Sequence, residues 1–137
     1  MFFNNDINED KNSDLTKVAA LLIHAAKIDE DYSQKEAEII RQALLKIGAD
    51  NKDIEKIIKK AEEIEKNSNQ ILEFTREIKG MDEKDKINII KTLWKIIFSN
   101  KEADIYETSL MRRLAGLLYI DSKIMGDIKE QIKSENL

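Results

Sequence analysis

Asp29-Glu30-Asp31-Tyr32-Ser33-Gln34-Lys35-Glu36 has a counterpart 71 positions further along the chain, Asn100-Lys101-Glu102-Ala103-Asp104-Ile105-Tyr106-Glu107. Both stretches place an oxygen-bearing side chain at local positions one, three, five and eight. Both lead into an amphipathic helical pattern. The same offset pairs Leu22 with Leu93, Ile39 with Leu110 and Arg41 with Arg112. The pattern is a helix, an acidic loop and a second helix, used twice.

Around these loops almost every segment carries apolar residues at helical spacing, and none alternates with period two for long. The first helix is expected from about Asp14 to Ile28, with Ser13 as N-cap. Leu15, Val18, Ala19, Leu21, Leu22, Ile23, Ala25 and Ala26 make it apolar nearly all round, so it belongs at the centre of a bundle. The second runs from about Gln34 to Ile47, with Ala37, Ile40, Leu44 and Ile47 inward, and stops at Gly48. The third follows Asp50 and buries Ile54, Ile57, Ile58, Ala61 and Ile64 beneath a Lys/Glu face. Asn67-Ser68-Asn69 breaks the pattern before a fourth helix that uses Ile71, Leu72, Phe74, Thr75 and Ile78. Asp82 caps the fifth helix, whose broad face is Ile87, Ile90, Leu93, Trp94 and Ile97. Asp104 caps the sixth, with Leu110, Leu114, Leu117 and Leu118 inward, and Asp121 caps the seventh, with Ile124, Ile128 and Ile132.

The expected fold is therefore all-α, with about seven helices. Helices one to three and five to seven form two pseudo-repeated three-helix halves, joined by helix four. Residues 1–12 are expected to be a disordered tail and residues 13–137 a single helical domain, which is long enough to bury a real core.

Composition narrows the function classes. There is no cysteine, hence no disulfide, thiolate metal site or Cys nucleophile. The 23 basic residues are interleaved with 27 acidic ones, and a net charge of −4 leaves no basic footprint for nucleic acid. The longest apolar run, Val18 to Ile23, is far too short to span a bilayer, and no signal peptide opens the chain. A cytoplasmic protein without membrane insertion is expected. No Gly-rich phosphate loop occurs, and nothing marks a nucleophile for His24, the single histidine, to activate. No enzyme is expected. His24 shares a polar stripe with Lys17 and Lys27 and reads as a solvated rim residue, since no second histidine completes a zinc site. Trp94 reads as core. Tyr106 and Tyr119 flank the sixth helix, and Tyr106 is a candidate for a binding surface.

The loops remain. Ser33-x-x-Glu36 and Asp104-x-x-Glu107 are capping boxes, in which each first residue accepts from the backbone three residues on and the glutamate reaches back. Capping accounts for local positions five and eight. It does not account for Asp29 and Asp31, or for Asn100 and Glu102, which precede their helices. Several oxygen donors in one short loop are what a hard divalent cation requires, with Ca²⁺ or Mg²⁺ first. Asp29-x-Asp31-x-Ser33 resembles the opening of an EF-hand, but Gln34 stands where that loop needs Gly and Ile40 where it needs Glu, so an EF-hand is excluded. The alternative is a protein-interaction module whose acids are only caps and solubilising charge. A hydrolase using a metal-bound water ranks last.

Taken together, Ala25-Ala26-Lys27-Ile28-Asp29-Glu30-Asp31 with Glu36, and Asn100-Lys101-Glu102 with Glu107 and Leu110-x-x-Arg113-Leu114-Ala115-x-Leu117-Leu118, resemble the TerB-like family, named for tellurite resistance protein B. The resemblance runs from about Leu15 to Ile132. Glu30 and Lys101 stand where the family usually has Gly, and Asn100 where it usually has Asp. What the resemblance implies is an all-helical domain of two similar halves, a link to tellurite resistance and stress, and acidic residues proposed to bind metal. Carried over by position, those residues are Asp29, Asp31, Glu36, Asn100, Glu102 and Glu107. A protein partner and the oligomeric state are left open by the sequence.

Overall fold

The computed structural model describes residues 2–27, 34–67, 72–99 and 105–135. They form seven helices: α1 (Phe2–Lys27), α2 (Gln34–Ile47), α3 (Ile54–Lys66), α4 (Leu72–Ile78), α5 (Glu83–Phe98), α6 (Ile105–Leu117) and α7 (Ser122–Glu135). No strand occurs among the described residues. The fold is all-α.

Two helices carry the core. Val18, Ala19, Ala20, Leu21, Leu22 and Ile23 of α1 are all completely buried. A helix can bury every side only if others surround it, and α2, α3, α4 and α5 all pack against α1. The second central helix is α5, where Ile89, Ile90, Leu93, Trp94, Ile96 and Ile97 are buried and α1, α2 and α7 are neighbours. The outer helices bury one stripe each, as in α3, with Ile54, Ile57, Ile58 and Ala61 inward. Ile64, Ile47, Ile87, Leu117 and Ile124 are only partly buried at the edge of this core.

Three expectations need correction. α1 begins at Phe2, not near Asp14, and Ser13 is not its cap. No Gly or Pro lies between Phe2 and Lys27 to stop the helix. Thr16 Oγ1 donates back to Asn12 O at 2.6 Å, a bond made inside a continuous helix. Leu72 is 44% exposed instead of inward. It lies two positions, roughly 200° of helical rotation, from Phe74, which faces the core. Asp82 does occupy the N-cap of α5 but makes no side-chain cap bond. Ile71 lies outside the described residues.

Other ends follow the reading. Gly48 adopts φ 118° after α2. There Gly48 N–H donates to Leu45 O at 3.2 Å and Ala49 N–H to Leu44 O at 2.9 Å, the paired bonds of a Schellman C-cap. At the offset of 71 the same pair recurs after α6, from Tyr119 N–H to Gly116 O and from Ile120 N–H to Ala115 O. Tyr119 takes the glycine's place at φ 57°. Asp121 Oδ1 accepts from Lys123 N–H at 2.8 Å and caps α7 as expected.

The two sets of three helices are not packed alike. α3 lies along α1 and α7 along α5, but α2 packs on α5, whereas α4 takes the flank of α1. Among the described residues α6 makes only slight contact with its neighbours α4 and α7.

Lys86 holds this corner together. Its side chain is buried, and its Nζ donates to Leu118 O at 3.1 Å, just past the end of α6, and to Lys79 O at 3.4 Å, just past the end of α4. Helix C-termini present unpaired carbonyls and partial negative charge, so one ammonium serves two helix ends.

Candidate functional site

Glu36 sits in the first turn of α2, immediately after the first acidic stretch, and is 2% exposed. A carboxylate withdrawn from water needs compensation from hydrogen bonds, a helix N-terminus or a cation. Glu36 is not without a partner in the structure. Asp29, Asp31, Asn100 and Glu102 lie outside the described residues, as do Ser33 and Asp104. Glu107 is in the first turn of α6, with its backbone alone described. Of the six residues read as ligands, the structure therefore positions the side chain of one. Among the described residues no group of three His, Asp or Glu side chains is arranged to hold a metal.

The remaining singled-out residues fall as follows. His24 Nδ1 lies 3.5 Å from Glu65 Oε1, and Lys27 Nζ lies 2.9 Å from Glu65 Oε2. The trio ties α1 to α3 at the rim of the bundle, which is a packing role for the lone histidine. Trp94 is core, as expected; it stacks on Phe98 at 5.6 Å, and Lys129 Nζ lies 5.4 Å from its ring centroid. Tyr119 is exposed, with Lys79 Nζ 5.5 Å from its ring centroid. The side chain of Tyr106 lies outside the described residues.

Two concavities were not anticipated from the pattern. One, of about 470 Å³, runs between α2 and α5. Lys35, Lys46, Lys91 and Lys95 line it over a floor that includes Ile39 and Ala43. Glu38 is its only acid among the described residues, and both its oxygens are occupied, by Gln42 Nε2 at 2.9 Å and by Arg41 Nε at 3.5 Å. None of the four lysines is ion-paired to a described residue. The available signal is Lys91 and Lys95 at i, i+4 on one helix face, which says nothing of what lies opposite. The second concavity, of about 440 Å³, is formed by α5, α6 and α7 around Trp94. No described helix is long and apolar enough to cross a membrane.

The family model described as Tellurite resistance protein TerB matches residues 15–130. No curated protein and no solved structure matches the chain.

Proposed function

The chain belongs to the TerB family of tellurite resistance proteins, and from that premise we propose that it is a non-enzymatic cytoplasmic domain of the tellurite and stress response that binds a divalent cation beside α2. The observation that carries the reading is the burial of Glu36, five positions after Asp31 in the acidic stretch that opens at Asp29. Carboxylate oxygens are the donors that Ca²⁺ and Mg²⁺ prefer, and a cation offsets the desolvation of a buried acid. Asp29 and Asp31 are the partners assigned to Glu36, with Asn100, Glu102 and Glu107 forming the second, weaker set, because Asn100 brings no charge. Isothermal titration with Ca²⁺, Mg²⁺, Mn²⁺ and Zn²⁺ tests the proposal. Saturable heat that disappears in Asp29→Ala/Asp31→Ala and in Glu36→Gln supports it. Absence of heat with all four ions removes it.

The lysine-lined groove favours a second reading, a protein-interaction module. Lys35 and Lys46 are eleven residues apart, which is roughly 16 Å along α2. That length suits three turns of an acidic amphipathic helix, with apolar side chains on Ile39 and Ala43 and carboxylates on the lysines. This reading predicts that Lys91→Glu/Lys95→Glu abolishes partner binding while cation binding stays intact, so the two readings separate cleanly.

A further inference from the structure

We propose that the pocket between α5, α6 and α7 binds an amphipathic organic anion, a small molecule with an apolar body and one acidic group. The proposal rests on other observations than the metal reading. Three observations converge on it.

The first is charge. Among the described residues Arg112 and Lys129 line the pocket and no Asp or Glu does, although the chain carries more acids than bases. Neither cation is ion-paired to a described residue. The rest of the lining is largely apolar, with Met111, Met125 and Ile120 buried around Trp94. Unbranched methionines adapt to ligands of varied shape. A volume of about 440 Å³ falls in the range of small-molecule sites.

The second is the pair of glycines in the wall. Gly116 of α6 and Gly126 of α7 are two of the chain's four glycines. Neither has the positive φ that Gly48 needs. A Cβ built at either would meet no heavy atom within 4 Å. Close packing does not require them, and glycine in a helix is less stable than alanine. What they share is this pocket, which they keep open.

The third is Trp94 Nε1, the one buried side-chain polar atom among the described residues with no hydrogen-bond partner. Indole N–H groups usually find an acceptor when buried. Trp94 belongs to the pocket lining, and the acidic group of a ligand held by Arg112 and Lys129 is the acceptor the proposal supplies.

Trp94 is the only tryptophan, so its emission reports on the pocket directly. The test titrates sodium decanoate, 1-anilinonaphthalene-8-sulfonate and, as the uncharged control, decanol, below their aggregation limits. The expected result is a saturable change in Trp94 emission with both anions and at least about tenfold weaker binding of decanol, since the charged contacts are lost. Arg112→Gln/Lys129→Gln reduces anion affinity to the level of decanol. Gly126→Leu, checked for helicity by circular dichroism, blocks binding. Should that variant misfold, Gly116→Ala/Gly126→Ala decides the matter: a higher melting temperature together with weaker anion binding is expected. No saturable change, equal affinity for decanol and decanoate, or unchanged affinity in the alanine pair overturns the proposal.

Discussion

Replacing Lys86 by Met keeps the length and apolar character of the stem and removes the ammonium. Two carbonyls then lose their donor. The bond to Leu118 O, at 3.1 Å and buried, is the stronger; the one to Lys79 O, at 3.4 Å, lies beyond the usual range and counts for less. A hydrogen bond from a charged donor contributes about 1.5–3 kcal/mol, and a buried carbonyl left alone costs about 1–3 kcal/mol. Against this, Met avoids the desolvation of a buried cation. The net loss is about 2 kcal/mol, mainly from freeing the end of α6, which has few other contacts. For a domain of this size that lowers the melting temperature by roughly 6–8 °C. Urea denaturation followed by circular dichroism measures it. The neighbouring Glu83, 3.6 Å away and itself exposed, contributes little, so Glu83→Gln changes stability by under about 0.5 kcal/mol. A Lys86→Met protein within about 0.5 kcal/mol of wild type, or a Glu83→Gln protein equally destabilised, refutes the claim that the backbone carbonyls are what Lys86 serves.

Asp121→Ala removes a real cap bond and costs about 1 kcal/mol in chemical denaturation, whereas Asp82→Ala, at a cap position without that bond, costs less than half as much. Tyr119→Gly relieves a left-handed backbone conformation at an exposed residue and raises stability by about 0.5–1 kcal/mol, read as a higher urea midpoint; a lower midpoint shows that its contact with Lys79 matters more. Leu72→Gln, at a largely exposed position, shifts the midpoint within about 0.5 kcal/mol, whereas Phe74→Ala, 1% exposed, lowers stability by about 3–5 kcal/mol. Lys91→Glu/Lys95→Glu leaves the thermal transition close to wild type, because neither lysine is paired within the described structure.

The sites were far less legible than the helices. In the sequence Leu72 fits a helical stripe with Phe74 and Ile78 only loosely; the seven-residue helix seated on α1 shows which side it presents. Lys86 gives no sign in the pattern, since a lysine in the first turn of a helix reads as solvated. Gly116 and Gly126 carry no signal in the sequence pattern, and their role emerges only where both stand in one wall. Glu36 was legible as a capping-box residue, but its burial was not, because burial depends on what the second helix meets in space.

Local pattern specifies what repeats every turn or every few residues. These are the seven helices, the wholly apolar face of the first, the stop at Gly48 and the cap at Asp121. Each depends on neighbours within about four positions, where backbone geometry leaves few choices. Tertiary structure alone decided that α2 crosses onto α5 and that α4, instead of α6, flanks α1. It also set one lysine across two helix ends and gathered two glycines, a tryptophan and two cations around one hollow. Those contacts join residues far apart in the chain, and their partners are chosen by packing, which local periodicity does not encode.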